Sequence, residues 1–323
     1  MIIGLRAFMG VIGTGLLMLS TSPVSAQATN WPSKPVRIVN PAPGGSDILW
    51  RLMQPKLQEI WGQPVVIENK PGASGNIAVQ EVLRSDDNET LFGGPDSVAT
   101  SNAHFFRRLP FNPEKDLVAA SYVSRYNQVL VCGSRTGFSK ISDFVDSARK
   151  GPVTVAVSGS YGAPALATAL LSNGAKLNLL SVIYKGPSQS ILDIAAGEVQ
   201  CGVMSSRIVL PFLKDQRVKA LAIASNVRSP LFPGVPTIGE SVLAGYDASS
   251  YEVILVPARM PKEVVAKINR DVAKVLESPE IRRKMAELDF TPVGNTLAEA
   301  AKKKNEDFQK WAKVSKTMGV VAD

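Results

Sequence analysis

From Val36 onward the chain alternates between short β-branched apolar runs and amphipathic helical stretches. No other feature of the sequence limits its fold so strongly. "VRIVN" and "PVVIEN" read as strands. Between them, Ile48, Leu49, Leu52, Met53, Leu57, Ile60 and Trp61 recur at helical spacing and mark one apolar face. Pro55 lies inside that stretch, and Gly62 ends it. Two strands joined through a helix form the parallel crossover unit. The pattern continues through "TLFGG", "NQVLVCG", "VTVAVSGS", "LLSVIYKG", "EVQCGVMSS", "VKALAIAS" and "SYEVILVPA". The segment "PDSVATSNAHFF" reads as the start of a helix, and the chain ends in helices over 261–276, 279–288 and 296–318. These are more strands than one small sheet needs in a chain of 323 residues. The expectation is an α/β protein of two doubly wound domains. The irregular, proline-rich "RSPLFPGVPTIGE" reads as a surface loop near a crossing between them.

The first residues break this pattern. Arg6 is the sole charge before Asn30, and residues 7–19 are almost wholly apolar or glycine. Small residues follow, with cleavage sites after Ala26 and after Ala28. Residues 1–26 therefore read as a secretory signal peptide. As a membrane anchor the apolar core is too short. The expectation is a soluble exported protein. The formal net charge is +8, but the basic residues form no large block. Lys302, Lys303 and Lys304 are the densest group. Glu299, Glu306 and Asp307 flank them, so they read as a solvated helix face and argue against nucleic-acid binding. Cys132 and Cys201 lie in separate apolar runs. They can form a bridge in an oxidising compartment or remain two buried thiols. No cysteine or histidine cluster has metal-ligand spacing, and no cofactor is expected.

Four turns stand between a strand and a helix and are rich in Gly, Ser and Pro. They are "NPAPGGSD" (40–47), "GGPDS" (93–97), "SGSYGAP" (158–164) and "YKGPSQS" (184–190). Glycines let a ligand approach the backbone, and a helix start offers unpaired N–H groups to an anion. In open α/β sheets such loops gather at the carboxyl ends of the strands. Two sets of them facing one another would grip a carboxylate. A tight turn without a ligand is the plain alternative for any single one. Nucleotide loops fit less well, since neither G-x-x-x-x-G-K-[ST] nor G-x-G-x-x-G occurs. Catalysis fits poorly too. G-x-S-x-G is absent, and a triad on Ser160 lacks a downstream histidine. His104, the one histidine, reads as structural, and nothing marks Lys185 as a Schiff-base lysine. No enzyme activity is expected.

"WPSKPVRIV", "PGGSDIL", "GQPVVIENKPGASGNIA", "RRLPFNPEKDL", "YKGPSQSILDIAAGEV", "VKALAIAS", "RSPLFPGVPTIGE" and "VGNTLAEAA" occur in that order. In these the chain resembles the solute-binding proteins of tripartite tricarboxylate transporters, the Bordetella uptake gene family. The resemblance implies a two-domain Venus-flytrap (type II periplasmic-binding-protein) fold with a hinge and an interdomain cleft. It implies domain 1 over 31–126 plus 251–323 and domain 2 over 127–250. The crossings would lie near 125–128 and 248–253. The implied function is capture of a small carboxylate, a dicarboxylate or aromatic carboxylate, by a monomer that delivers it to membrane permease subunits. Alternatives are a ligand sensor docking on a sensor kinase and an exported serine hydrolase. Carried over by position, the ligand-binding residues are Ala42, Pro43, Gly44, Gly45, Ser46 and Asp47; Gly94, Pro95, Asp96 and Ser97; Ser158, Gly159, Ser160, Tyr161 and Gly162; and Tyr184 and Lys185. Met204, Ser205 and Arg207 complete the set. Two departures from the family pattern stand out. The first loop is one residue shorter than the family's G-G-S-T-D. An acidic position of the family aligns with Met204, which argues against a ligand ammonium and favours a ligand with an apolar body or a second carboxylate reaching Arg207.

Overall fold

The structure is a computed structural model that describes residues 30–41, 45–158, 162–184 and 186–318. The signal-peptide segment and its cleavage positions lie outside these residues. So do Ala42, Pro43, Gly44, Gly159, Ser160, Tyr161 and Lys185. In chain order the strands are β1 (Val36–Asn40), β2 (Val65–Asn69), β3 (Thr90–Pro95), β4 (Leu117–Tyr126), β5 (Gln128–Gly133), β6 (Val153–Ser158), β7 (Leu179–Tyr184), β8 (Cys201–Ser205), β9 (Val218–Ile223), β10 (Ser250–Pro257) and β11 (Phe290–Pro292). They form two sheets, ordered β11-β4-β10-β3-β1-β2 and β7-β6-β8-β5-β9. In the first, β1 pairs in parallel with β2 and β3, while β10 runs antiparallel to β3 and β4. In the second, β6 is parallel to β7 and β8, and β5 is antiparallel to β8 and β9. The chain leaves the first sheet after Tyr126, enters the second at Gln128, and returns at Ser250. The chain therefore crosses between the sheets twice, and both sheets belong to one compact unit beginning at Trp31.

Each sheet is covered on both faces, as period-two alternation requires. Ile38 packs into a core with Trp50, Met53 and Leu57, while its neighbour Val39 packs with Val79, Phe92 and Val98 on the other face. In β5, Leu130 and Cys132 join Phe144 and Val155, while Val129 and Val131 join Ile191 and Ile194. The first helix, Gly45–Trp61, runs unbroken through Pro55 and stops at Gly62, whose φ is 64°.

The sequence reading missed two strands. β4 contains two alanines and two serines, so it lacks the β-branched signature, yet it is buried along nearly its whole length. β11 is only three residues long. The helix expected from "PDSVATSNAHFF" is instead a 3-10 turn, Asp96–Ala99, and a single helical turn, Asn102–Phe105. Thr100, with ψ near −81°, separates them.

The three-lysine run is also not a solvated face. Successive helix residues point about 100° apart, so three in a row cannot share one face. Within the last helix, Leu297–Met318, Lys302 is exposed and Lys303 is part-buried beside Asp307 and over the Tyr251 ring. Lys304 is buried, donating its Nζ to the carbonyls of Pro113 and Leu117. Burial pulls its pKa down to about 8. Lys304→Ala leaves two buried acceptors unpaired and should cost about 2–3 kcal/mol in chemical denaturation. Lys302→Ala should stay within about 0.5 kcal/mol.

Cys132 and Cys201 are register partners in the β5–β8 ladder and form a disulfide, both fully buried. The bridge closes a separation of 69 residues. Replacing both cysteines by serine should cost about 4 kcal/mol, read from urea unfolding midpoints.

Candidate functional site

The first candidate loop delivers its serine to β10, the strand on which the chain returns from the second sheet. Ser46 lies in the first turn of the Gly45–Trp61 helix, and its Oγ donates to the Glu252 carboxylate on β10. Trp50, one turn on, donates its indole N–H to the same Oγ at 3.3 Å. The neighbouring Asp47 faces elsewhere. It accepts from Arg51 at 2.7 Å and from Asn69 at 2.8 Å, and the Arg51 hydrogen bond holds its pKa low. Glu252 stands opposite Pro95 of β3 on one side and Ser124 of β4 on the other. One buried glutamate thus joins the first loop, the second loop and the strand that leads out of the first sheet.

The second loop is held closely beneath the first. A Cβ at Gly94 would lie 2.7 Å from both Phe92 Cζ and Pro41 Cδ, so no larger residue fits without displacement. Asp96 follows, buried, and accepts from the Tyr251 N–H at 3.4 Å. Burial, and then the charge of Asp307, raise its pKa, while Lys303 and Lys310 oppose the shift. Asp96, Ser97, Ala163, Leu166, Ser250 and Lys310 line part of a cavity of about 20 Å³. That volume is on the scale of one water. Because its walls come from both halves of the chain, the two halves are in contact here.

The third and fourth loops begin helices of useful length, Ala163–Ala175 and Pro187–Ala196. Ser158 Oγ lies 3.4 Å from Ser190 Oγ across these helix starts. A Cβ at Gly162 would stand 3.1 Å from the Ser158 carbonyl. The Tyr184 hydroxyl donates to Asp193 at 2.8 Å, so this ring is anchored to its own following helix. Burial is the first cause that pushes its pKa up to about 12.

Beside β8, the three remaining candidates divide. Met204 is 1% exposed in the core with Val129 and Val209. Ser205 and Ser206 each hold a buried Oγ without a hydrogen-bond partner. Gln128 Oε1 and Ser124 Oγ share that condition, and Gln128 is the register partner of Ser205. Buried polar atoms are nearly always satisfied, so a cluster of exceptions points to a ligand or water that completes them. The Arg207 guanidinium lies 4.1 Å from the Phe290 ring centroid and 5.5 Å from that of Tyr126, reaching from the second sheet's side to the first. The sequence reading passed over Glu252, Ser124 and Gln128. Glu252 had left one trace: it is the only charge in "SYEVILVPA".

Among the described residues, no group of His, Cys, Asp or Glu is placed to hold a metal ion. His104 packs edge-on against Phe308 at 4.3 Å, and burial lowers its pKa. No described helix is long and apolar enough to cross a membrane.

Two α/β lobes, linked by two crossings and meeting around a polar junction, define a two-lobed solute-binding protein. A family model described as "Tripartite tricarboxylate transporter family receptor" matches residues 49–320, and the chain belongs to this family. BugT of Bordetella pertussis is 27% identical over 321 residues, covering 96% of this chain and 97% of that protein. A solved structure of R. palustris Rpa4515 with adipate is 28% identical, with a TM-score of 0.81 over 90% of this chain and 99% of that one. MatC from Rhodopseudomonas palustris with bound malate is 25% identical, with a TM-score of 0.76 over 88% and 100%. Like these relatives, the chain is a solute-binding protein and not an enzyme.

Burial is the main cause that pushes Glu252 up to about 7, while the Ser46 hydrogen bond and the charge of Arg207 oppose it and Asp96 adds to it. A carboxyl with a higher pKa in the folded than in the unfolded state binds its proton more tightly when folded. Its contribution to stability therefore rises as pH falls through 7 and levels off below about 4.5. Wild-type protein should gain stability relative to Glu252→Gln by about 3 kcal/mol between pH 8 and pH 4.5. Denaturant titrations of both proteins across that range check this.

Proposed function

We propose that the chain is exported, is cleaved after Ala26 or Ala28, and captures a small carboxylate between its two lobes for delivery to membrane permease subunits. The lobes are residues 31–126 with 251–323, and residues 127–250. The observation that carries this reading is the junction between them. There the helix start at Gly45–Ser46, the Arg207 guanidinium, and the unpartnered hydroxyls of Ser205 and Ser206 belong to neighbouring elements of the two lobes. Hydroxyls, a guanidinium and a helix start are donors suited to a carboxylate. The adipate and malate bound by the two R. palustris relatives support the same ligand class. A dicarboxylate or aromatic carboxylate fits best, with one carboxylate at the helix starts and a second group reaching Arg207.

Capture needs no chemistry. A ligand that touches both lobes binds the closed form better than the open form and shifts the equilibrium between them. The two strand crossings, Tyr126 to Gln128 and the entry to Ser250, are where rotation between the lobes would be taken up.

Protein unfolded, washed free of ligand and refolded should gain about 5 °C in melting temperature with a carboxylate at about 100 times its Kd. Arg207→Ala should weaken that binding about 10- to 100-fold, a charged hydrogen bond being worth about 1.5–3 kcal/mol. A broad panel of mono- and dicarboxylates that produced no shift in the refolded wild type would overturn the reading.

A further inference from the structure

We infer that Glu252 is the specificity-determining acid of the cleft, and that it selects carboxylates bearing a hydroxyl or protonated amine. This deepens the carboxylate reading and rests on it. Glu252 is 2% exposed, and its carboxylate accepts from Ser46 Oγ, a residue of the first candidate loop. It is placed opposite Pro95 of the second loop, and it feels the charge of Arg207. Three of the elements proposed to hold the ligand therefore converge on one acid.

The balance of charge and hydrogen-bonding capacity there indicates what the acid reads. A buried carboxylate is tolerated only with compensating donors or cations. Asp96 is a second buried acid whose charge is felt at Glu252, and the part-buried Tyr126 phenol feels the charge of both. The cation nearest in charge is Arg207, which also stacks on Phe290 and Tyr126. Gln128 Oε1 is a further acceptor, 2% exposed as a residue and without a partner. Around Glu252 two buried acids thus stand beside one cation, so negative charge is in excess there. A ligand made only of carboxylate and hydrocarbon would bring more negative charge and no donor. A ligand carrying an O–H or an N⁺–H offers Glu252 a donor and, as an ammonium, a compensating charge, while its carboxylate keeps the helix starts and the serine hydroxyls. The aligned position that led the sequence reading away from an ammonium is Met204, which is core. The acid is supplied instead from the other lobe, on β10.

The test uses matched sets of ligands that differ in one donor: succinate, malate and aspartate; glutarate, 2-hydroxyglutarate and glutamate; benzoate and 4-hydroxybenzoate. Affinities are measured by calorimetry on the refolded full chain at pH 8. The expected result is that a hydroxy or amino member binds at least tenfold tighter than its unsubstituted parent, and that Glu252→Gln reduces this ratio to threefold or less. In wild-type protein the preference for an amino member should also weaken as pH falls from 8 to 5.5, where Glu252 takes up its proton but the ligand amine does not change. That measurement stands even if the variant does not fold. Parents that bind as tightly as their substituted partners, or a ratio unchanged in Glu252→Gln, would overturn the inference and leave carboxylate capture intact. If none of the compounds bind, both readings fall.

Discussion

The buried contact between Ser46 and Glu252 is the constraint on which the rest of the site depends. It ties the start of the first helix to the strand on which the chain returns from the second sheet. A carboxyl at 2% exposure would be costly without such a donor. The indole of Trp50 adds a donor to the same serine, so the arrangement extends one turn down a helix that is itself packed on the first core. Gly94 holds the second loop against Pro41 and Phe92, directly beside this contact. The polar junction is therefore built on packed secondary-structure elements, which hold its unpartnered atoms in place.

The last helix has a comparable structural role at the other edge of the junction. Lys304 fastens it to the Pro113 and Leu117 carbonyls, and Lys303 lies over Tyr251. Trp311 packs with Phe105 from the first lobe and Leu166 from the second. Asp96 lies close enough to Asp307, Lys303 and Lys310 to be shifted by all three. Packing and charge on this helix thus reach both halves of the chain, and they fix the surroundings of the second candidate loop.

Much of this was legible in the sequence because parallel units impose strong local patterns. Apolar spacing marked the helix through Pro55, and β-branched runs marked nine of the eleven strands. Resemblance to the receptor family rested on motifs that span most of the chain, and the match over residues 49–320 bears it out. What escaped detection was tertiary in origin. β4 is a strand because its neighbours bury it, not because alanine and serine favour extension. The lysine run looked like surface by composition, but helix geometry sends Lys304 inward to satisfy two carbonyls. Glu252 appeared as an isolated charge in an apolar strand. Only the fold showed that the strand passes under Ser46. The cysteines could be read as a bridge or as two thiols until the register placed them opposite one another.

The central claim, that one small carboxylate is held between the lobes, is tested most directly by native mass spectrometry of the protein secreted in its own cell and purified without denaturation. The account predicts a polypeptide beginning at Gln27 or Thr29 that carries one small organic acid, lost on unfolding and restored by incubation with that acid. A bare polypeptide that takes up no acid from a mixed carboxylate pool, or one that carries a nucleotide or a neutral molecule instead, would contradict it.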